Sequence, residues 1–336
     1  MTPAIAVIIL NWNGAKLLPE YLPKVVATTD PALSRIILAD NGSTDASVDY
    51  VRSAFTPEQV VLMLLDKNYG FAEGYNRAIA AVADRFDYVV LLNSDVATTP
   101  GWDRTLFDFM QANPDVAACQ PKVLSYTRPD TFEYAGASGG YLDCNGYPYC
   151  RGRIFATCER DEGQYDSVAD IHWATGAALM VRPHIYIRCG GLDPDFFAHM
   201  EEIDLCWRIR LAGYRICAVP ASVVYHLGGG SLPAENPRKT YLNFRNNLLM
   251  LHKNLPEATG RRFLIKRRLL DTLAWAKFVA TLDLANAAAI VRAHRDFARM
   301  RRSYTDHPDR NLLPEAPSLL SQYYLRGKRR FSQLDR

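Results

Sequence analysis

The stretch Tyr88-Val89-Val90-Leu91-Leu92-Asn93-Ser94-Asp95 decides the fold. Its first five residues are apolar without alternation, the pattern of a strand covered on both faces, as in a sheet with helices on each side. It leaves the sheet as Asn-Ser-Asp and so delivers oxygen ligands to the edge where such sheets keep their sites. Oxygen-rich groups there suit Mg²⁺ or Mn²⁺ on a diphosphate, because these ions keep several waters and share the rest of their shell with phosphate. The plainer alternative is that Asp95 only caps the following helix.

Working outward, the same transition recurs. Apolar strands are predicted over 5–10, 35–39, 60–65 and 116–120, alternating with helix-like segments, which describes a mostly parallel sheet with crossover helices. After the first three come Asn11-Trp12-Asn13-Gly14, then Asp40-Asn41-Gly42-Ser43-Thr44-Asp45, then Asp66-Lys67-Asn68-Tyr69-Gly70. Strand ends in such a sheet face one common edge, so these clusters should converge on a crevice with Asn93 and Asp95. Ser43 or Asp45 is placed to cap the next helix, and Asn76 lies on the helix opening after Phe71.

Periodicity fades over 125–170, where Gly, Tyr, Cys and charge dominate. A long irregular stretch inside a domain is usually functional or mobile. Order returns at 173–182, and an acidic segment at 201–208 precedes strands at 215–219 and 223–226. Beyond Pro237 the chain reads as helices over 241–251 and 261–302. Within the latter, Asp271, Lys277 and Asp283 interrupt an apolar run, which favours amphipathic helices lying on a surface over a membrane span.

The 336 residues suffice for one large α/β domain with an appendage, and 49% hydrophobic with 22% charged residues is an ordinary globular composition. Charge divides it unevenly. Residues 1–230 carry 18 Lys and Arg against 27 Asp and Glu, whereas residues 231–336 carry 21 against 9. Such a basic region suggests a polyanionic neighbour, a membrane surface or nucleic acid, the bland alternative being a solvated face of a packed appendage. No nucleic-acid motif accompanies it, which favours the membrane. The start, Met1-Thr2-Pro3-Ala4-Ile5, lacks the basic stretch of a signal peptide, so a cytoplasmic location is expected. Seven scattered cysteines without a Cys-x-x-Cys pair fit reduced thiols, with Cys144, Cys150 and Cys158 sharing one loop-like segment.

The order of motifs resembles the family 2 glycosyltransferases of the GT-A fold, particularly their rhamnosyltransferase-like branch. The likeness runs through Asn11-Trp12-Asn13, 40–45, 68–76, Asn93-Ser94-Asp95, Thr175-Gly176-Ala177, 201–205 and His226-Leu227-Gly228-Gly229, covering about the first 230 residues. It implies a transferase domain over 1–230 and leaves 231–336 as a basic, helical, membrane-associating region. The implied reaction moves a sugar from a nucleotide diphosphate donor, UDP or dTDP, to a glycan or lipid-linked acceptor, with inversion. Asp40 would contact the base or ribose, with Asn11, Asn13, Asn68, Gly74, Asn76, Asn93 and Ser94 around the same nucleotide. Asp95 matches the family's metal-binding Asp-x-Asp, although Asn93 stands where its first Asp is usual. Trp173, Thr175 and Gly176 would border the donor sugar or acceptor.

The chemistry asks for a clamp on the leaving diphosphate and a base within reach of the acceptor hydroxyl. Glu202 occupies the family's catalytic-base position, with Glu where Asp is usual. Neighbouring side chains diverge, so Glu201 and Glu202 cannot serve equally. Their bland reading is as acids at a helix start, worth roughly 0.3–1 kcal/mol each. His226, a strand-end His, can ligate the metal or serve structurally. Asp204 and Arg208 are expected to pair on the helix surface, and Trp12 and Trp207 to be packing residues. Two other functions compete. A sugar-phosphate nucleotidyltransferase wants a glycine-rich phosphate loop after the first strand, which Asn11-Trp12-Asn13-Gly14 is not, and a non-catalytic lipid or nucleic-acid binder would use only the basic region.

Overall fold

The computed structural model describes residues 3–228, 236–315 and 318–335. Gly229 of the last motif, and the expected domain boundary at 230, lie outside them.

The chain begins with β1 (Ile5–Asn11), α1 (Leu18–Thr28), β2 (Ser34–Asp40), α2 (Ser47–Ala54), β3 (Val61–Leu64), α3 (Gly70–Ala80) and β4 (Tyr88–Leu92). A turn then leads through β5 (Val96–Thr98) and α4 (Trp102–Ala112) to β6 (Val116–Ser125). In β1, Ile5, Val7 and Ile9 pack with α1 and α4 on one face, while Ala6 and Ile8 pack with Ala72, Tyr75 and Ile79 of α3 on the other. Alternate residues thus feed two cores, which is why these strands read as continuous apolar runs.

The stretch that looked irregular holds a small antiparallel sheet, β7 (Gly140–Leu142), β8 (Pro148–Cys150), β9 (Arg153–Ile154) and β10 (Thr157–Cys158). Strands of two or three residues are too short to impose a period. Cys150 is buried there, with the Arg153 guanidinium 3.3 Å from its Sγ. Next come β11 (Ala169–Asp170), β12 (Ala178–Val181), α5 (Pro183–Arg188), α6 (Glu201–Leu211) and β13 (Arg215–His226). The large sheet runs β11-β13-β6-β12-β4-β1-β2-β3, with β5 beside β13. β1 to β4, β6 and β13 share one direction, and β12 is inserted antiparallel to both β4 and β6. That inserted strand brings residues 174–177 to the polar end of β4.

Three further helices, α7 (Pro237–Asn254), α8 (Glu257–Ala280) and α9 (Leu284–Met300), pack on one another. The single expected segment 261–302 breaks at Leu282, whose φ is 58°, and Asp283 caps α9 by accepting from Asn286 N. Asp271 is buried, bonded to Arg267 and His294, so it is an interior ion pair rather than a surface interruption. Among the described residues no helix is long and apolar enough to cross a membrane.

Candidate active site

The strand ends converge as expected, and each side chain's place follows from strand register. Asn11 and Asp40 are partners across β1 and β2, and Asn11 Nδ2 donates to Asp40 Oδ1 at 2.8 Å. The other carboxylate oxygen accepts Ser43 N at 2.9 Å, and Asn11 Nδ2 also reaches Ser43 Oγ at 3.1 Å. Asn13, exposed with φ 53°, accepts Thr44 N at 2.8 Å, while its own N–H donates to Ser43 Oγ. Asn11 and Asp40 are buried at the strand ends, and the outward polar groups there are Asn13 and Thr44. Trp12 is not a packing residue, being 57% exposed.

Asn41 holds the third cluster, its Oδ1 accepting Tyr69 N and its Nδ2 donating to Asn68 Oδ1 and Gly70 O. Asn68 is exposed, but its carbonyl is committed to that turn. A Cβ on Gly74 would stand 3.0 Å from Leu10, so this glycine serves close packing. Asn76 is not at the edge. Its amide donates to Leu192 O and accepts from Leu192 N and Tyr186 Oη, tying α3 to the segment before α6. Trp173 is buried at 3% exposure, its Nε1 donating to Tyr141 O, so it lies in the core rather than bordering a sugar.

Asp95 does not cap a helix. Asn93-Ser94-Asp95 forms the turn between β4 and β5, closed by Val96 N donating to Asn93 O. Because β13 pairs His226 with Val96, His226 Nε2 arrives 3.1 Å from Asp95 Oδ1 and 3.5 Å from Asn93 Nδ2. On its far side Glu133 Oε2 lies 3.4 Å from Nδ1, within ion-pair range though not aligned as a hydrogen bond. Burial opposes a charged imidazole, but Asp95 and Glu133 more than offset it and raise the His226 pKa to about 10. Burial likewise opposes the Asp95 charge, yet the bond from His226 holds its carboxyl below the usual range. Glu133 carries no motif, and nothing in its sequence surroundings singles it out.

The two carboxylates favour positive charge at this position, and His226 would have to give up its Nε2 proton before it could ligate a cation there. Among the described residues no group of three or more His, Cys, Asp or Glu side chains is arranged to hold a metal ion. Asp95, and His226 once deprotonated, would hold a Mg²⁺ or Mn²⁺ ion here, which would supply charge neutralisation for a phosphate. Glu133 stands behind the imidazole where an outer-shell carboxylate orients a ligating His.

Residues 174–177 border this pocket, since Asn93 N donates to Ala177 O. Thr175 Oγ1 accepts Ala177 N, and a Cβ on Gly176 would lie 3.6 Å from Glu202 Cβ and 3.7 Å from the Phe71 ring. Glu201 and Glu202 open α6. Burial and the neighbouring Glu202 charge push the Glu201 carboxyl well up, whereas burial raises Glu202 to about 7, the two titrating as a pair. Glu202 Oε2 has no hydrogen-bond partner. Burial and mutual repulsion thus make this pair harder to ionise than ordinary carboxyls, with Glu202 raised to about 7.

Asp204 does pair with Arg208, but in the interior: it is fully buried and also bonds Lys253 and Asn254 of α7. The approach to α6 is strained. Phe197, His199 and Met200 have φ of 65°, 69° and 75°, and Ala198 N bonds Phe196 O at 2.7 Å in a γ-turn of the rare positive-φ kind. Such conformations cost of order 1–3 kcal/mol each and persist only where the surroundings impose them.

Residues 6–153 match Glycosyl transferase family 2. The chain is 28% identical over 242 residues to the N-acetylglucosaminyl-diphospho-decaprenol L-rhamnosyltransferase of Mycobacterium tuberculosis, spanning 67% of this chain and 76% of the relative. Among solved structures it superposes on the mannosyltransferase PcManGT of Pyrobaculum calidifontis, in complex with GDP-Man and Mn²⁺, with TM-score 0.53, 15% identity and 90% and 85% of the two chains covered. It also matches GalNAc-T7 with UDP, GalNAc and Mn²⁺, at TM-score 0.58 and 15% identity, covering 76% of this chain and about half (49%) of that one. At such identities the structural matches speak to fold alone. The family match over residues 6–153, the order of motifs and the sheet agree: the chain has the GT-A fold and is similar in sequence to family 2 glycosyltransferases, the rhamnosyltransferase branch among them.

Proposed function

We propose that the chain transfers a sugar, with inversion, from a UDP- or dTDP-linked donor to a hydroxyl of a lipid-linked or growing glycan. Glu202 carries the reading: a carboxylate whose Oε2 has no hydrogen-bond partner, with its pKa raised to about 7, lies beside Gly176, on the turn that borders Asp95 and His226. A base whose pKa lies near working pH is the efficient one. Glu202 takes the acceptor proton as the hydroxyl oxygen attacks the anomeric carbon and the bond to the diphosphate breaks, and a single displacement inverts that carbon. Asp95 and His226 hold the cation that, when bound, neutralises charge on the leaving diphosphate. Asn13 and Thr44 meet the nucleoside, with Asn11, Asp40 and Asn68 fixing their loops.

The relative's name, a rhamnosyltransferase of a diphospho-decaprenol-linked sugar, supports a lipid-linked acceptor. So does α8, on which exposed Ile265, Leu269 and Leu273 recur four residues apart on one face, with exposed Arg262, Lys266 and Lys277 close by. Each cation adds roughly 1 kcal/mol at an anionic surface. We read 1–230 as the transferase domain and 231–336 as the region that seats it peripherally on the cytoplasmic face of the membrane.

The test is a panel of UDP-, dTDP- and GDP-sugars with Mn²⁺, scored by released nucleotide. One donor should turn over, Glu202→Gln should cut turnover by about 10²–10⁴-fold and Asp95→Asn should abolish it; full activity in both variants would overturn the reading. Leu269→Glu with Leu273→Glu should release the protein from vesicles containing anionic lipid, and unchanged sedimentation with them would remove the membrane from the proposal.

A further inference from the structure

Two neighbouring residues of α7 grip the strained loop that leads to Glu202. Asn246, fully buried, points its Nδ2 at three carbonyl oxygens, those of Phe196, Ala198 and His199, at 2.9, 2.9 and 2.7 Å. Arg245 Nη2 donates to Asp195 O at 2.8 Å and Phe196 O at 2.9 Å. Arg245 Nε donates to Asn246 Oδ1 at 2.8 Å, which fixes the amide with its nitrogen toward the loop. Four carbonyls on either side of the γ-turn are therefore satisfied by one helix.

Those carbonyls bracket residues whose positive φ is disfavoured for any side chain with a Cβ. Released from α7, the loop would relax toward ordinary φ values and leave buried carbonyls unpaired. Glu202 lies two residues beyond Met200, in the first turn of α6, whose ladder begins with Asp204 N donating to Met200 O at 2.8 Å. A change of φ at His199 or Met200 re-aims that turn. The rest of α6 is tied to α7 separately, through Asp204 to Lys253 and Asn254, so loosening the loop does not free the helix.

We propose that Asn246, oriented by Arg245, is a positioning residue that sets the aim of Glu202 by holding residues 196–199 in their strained conformation. It touches neither donor nor acceptor, and the inference rests on the reading of Glu202 as the base. The consequence is specific: losing Asn246 should lower kcat while leaving donor binding intact, because the nucleotide loops lie on other elements.

Asn247 supplies the control. It is equally a buried asparagine of α7, but its amide donates to Gly146 O at 2.8 Å, away from the loop. With the donor chosen by the nucleotide-sugar panel, Asn246→Ala should reduce kcat tenfold or more. Its KM for donor, and its affinity for UDP or dTDP with Mn²⁺ by calorimetry, should stay within twofold. Asn247→Ala should lower the melting temperature comparably yet keep kcat within twofold. Adding Met200→Gly to Asn246→Ala should recover part of kcat, since glycine holds a φ of 75° without a Cβ penalty. Should the alanine variant not accumulate as folded protein, Asn246→Ser, which keeps one donor, carries the same comparison. Normal kcat in the Asn246 variant overturns the proposal, as does a loss shared equally by nucleotide affinity and by Asn247→Ala. Glu202→Gln run alongside separates the two ideas. If it retains turnover the base assignment fails; if it is inactive while Asn246→Ala turns over normally, only the clamp fails.

Discussion

At the nucleotide edge, side chains from loops following neighbouring strands bond to one another: Asn11 to Asp40, Asn13 to Thr44, Asn41 to Asn68. At the loop before Glu202, the restraining side chains come from a helix about fifty residues further along, and three backbone positions are held at positive φ. The first region follows wherever the sheet forms, because register alone sets its partners. The second exists only if the α7 helix docks. A site assembled this way can tolerate change on its binding side and be disabled on its reacting side without any ligand contact being lost.

Four experiments press on that difference. The largest effect is expected from Glu202→Gln, which keeps the shape and removes the base: kcat should fall by about 10²–10⁴-fold with nucleotide affinity unchanged in calorimetry. A parallel loss of affinity would mean that the two regions are not separable. Next, Glu133→Gln leaves His226 facing a neutral amide and should weaken Mn²⁺-dependent nucleotide binding about 10–100-fold, as loss of an outer-shell carboxylate does. Binding measured without metal should not change.

The third concerns pH. Glu202 works as a base only when ionised, and burial raises its pKa to about 7. kcat should therefore decline as pH falls below about 7, approaching tenfold per unit, while nucleotide affinity measured over the same range declines less steeply. A flat profile from pH 5 to 8 would assign proton removal to another group. The smallest effect belongs to Thr44→Ala. The Asn13–Thr44 bond runs to the backbone N–H, so the loop should keep its shape and donor KM should rise by no more than about fivefold, one neutral hydrogen bond's worth of roughly 1 kcal/mol. A collapse of kcat there would erase the contrast.

The same contrast explains what could be read in advance. Apolar runs ending in polar clusters identified β1 to β4 and the crevice beyond them, since alternate burial and strand-end chemistry are local properties. The motif order singled out Asp95 and His226, which lie 3.1 Å apart, and Glu202, which lies beside Gly176. Asn76 and Trp173 misled because a motif position says nothing of where the side chain points: one amide faces Leu192 and one indole faces Tyr141. Glu133 and Asn246 carried no signal, because their partners are remote in sequence and only packing brings them near.

By itself the sequence determined an α/β sheet, the edge that holds the polar clusters, an unevenly charged chain and the carboxylates able to act. Periodicity and composition act residue by residue, so they can be read before folding. The tertiary structure alone decided that β12 enters antiparallel, that His226 meets Asp95 with Glu133 behind it, that Glu201 and Glu202 are desolvated together at the start of α6, and that a C-terminal helix holds the loop before it. Each of these depends on burial or on contacts across long stretches of chain, which set energies that no local pattern encodes.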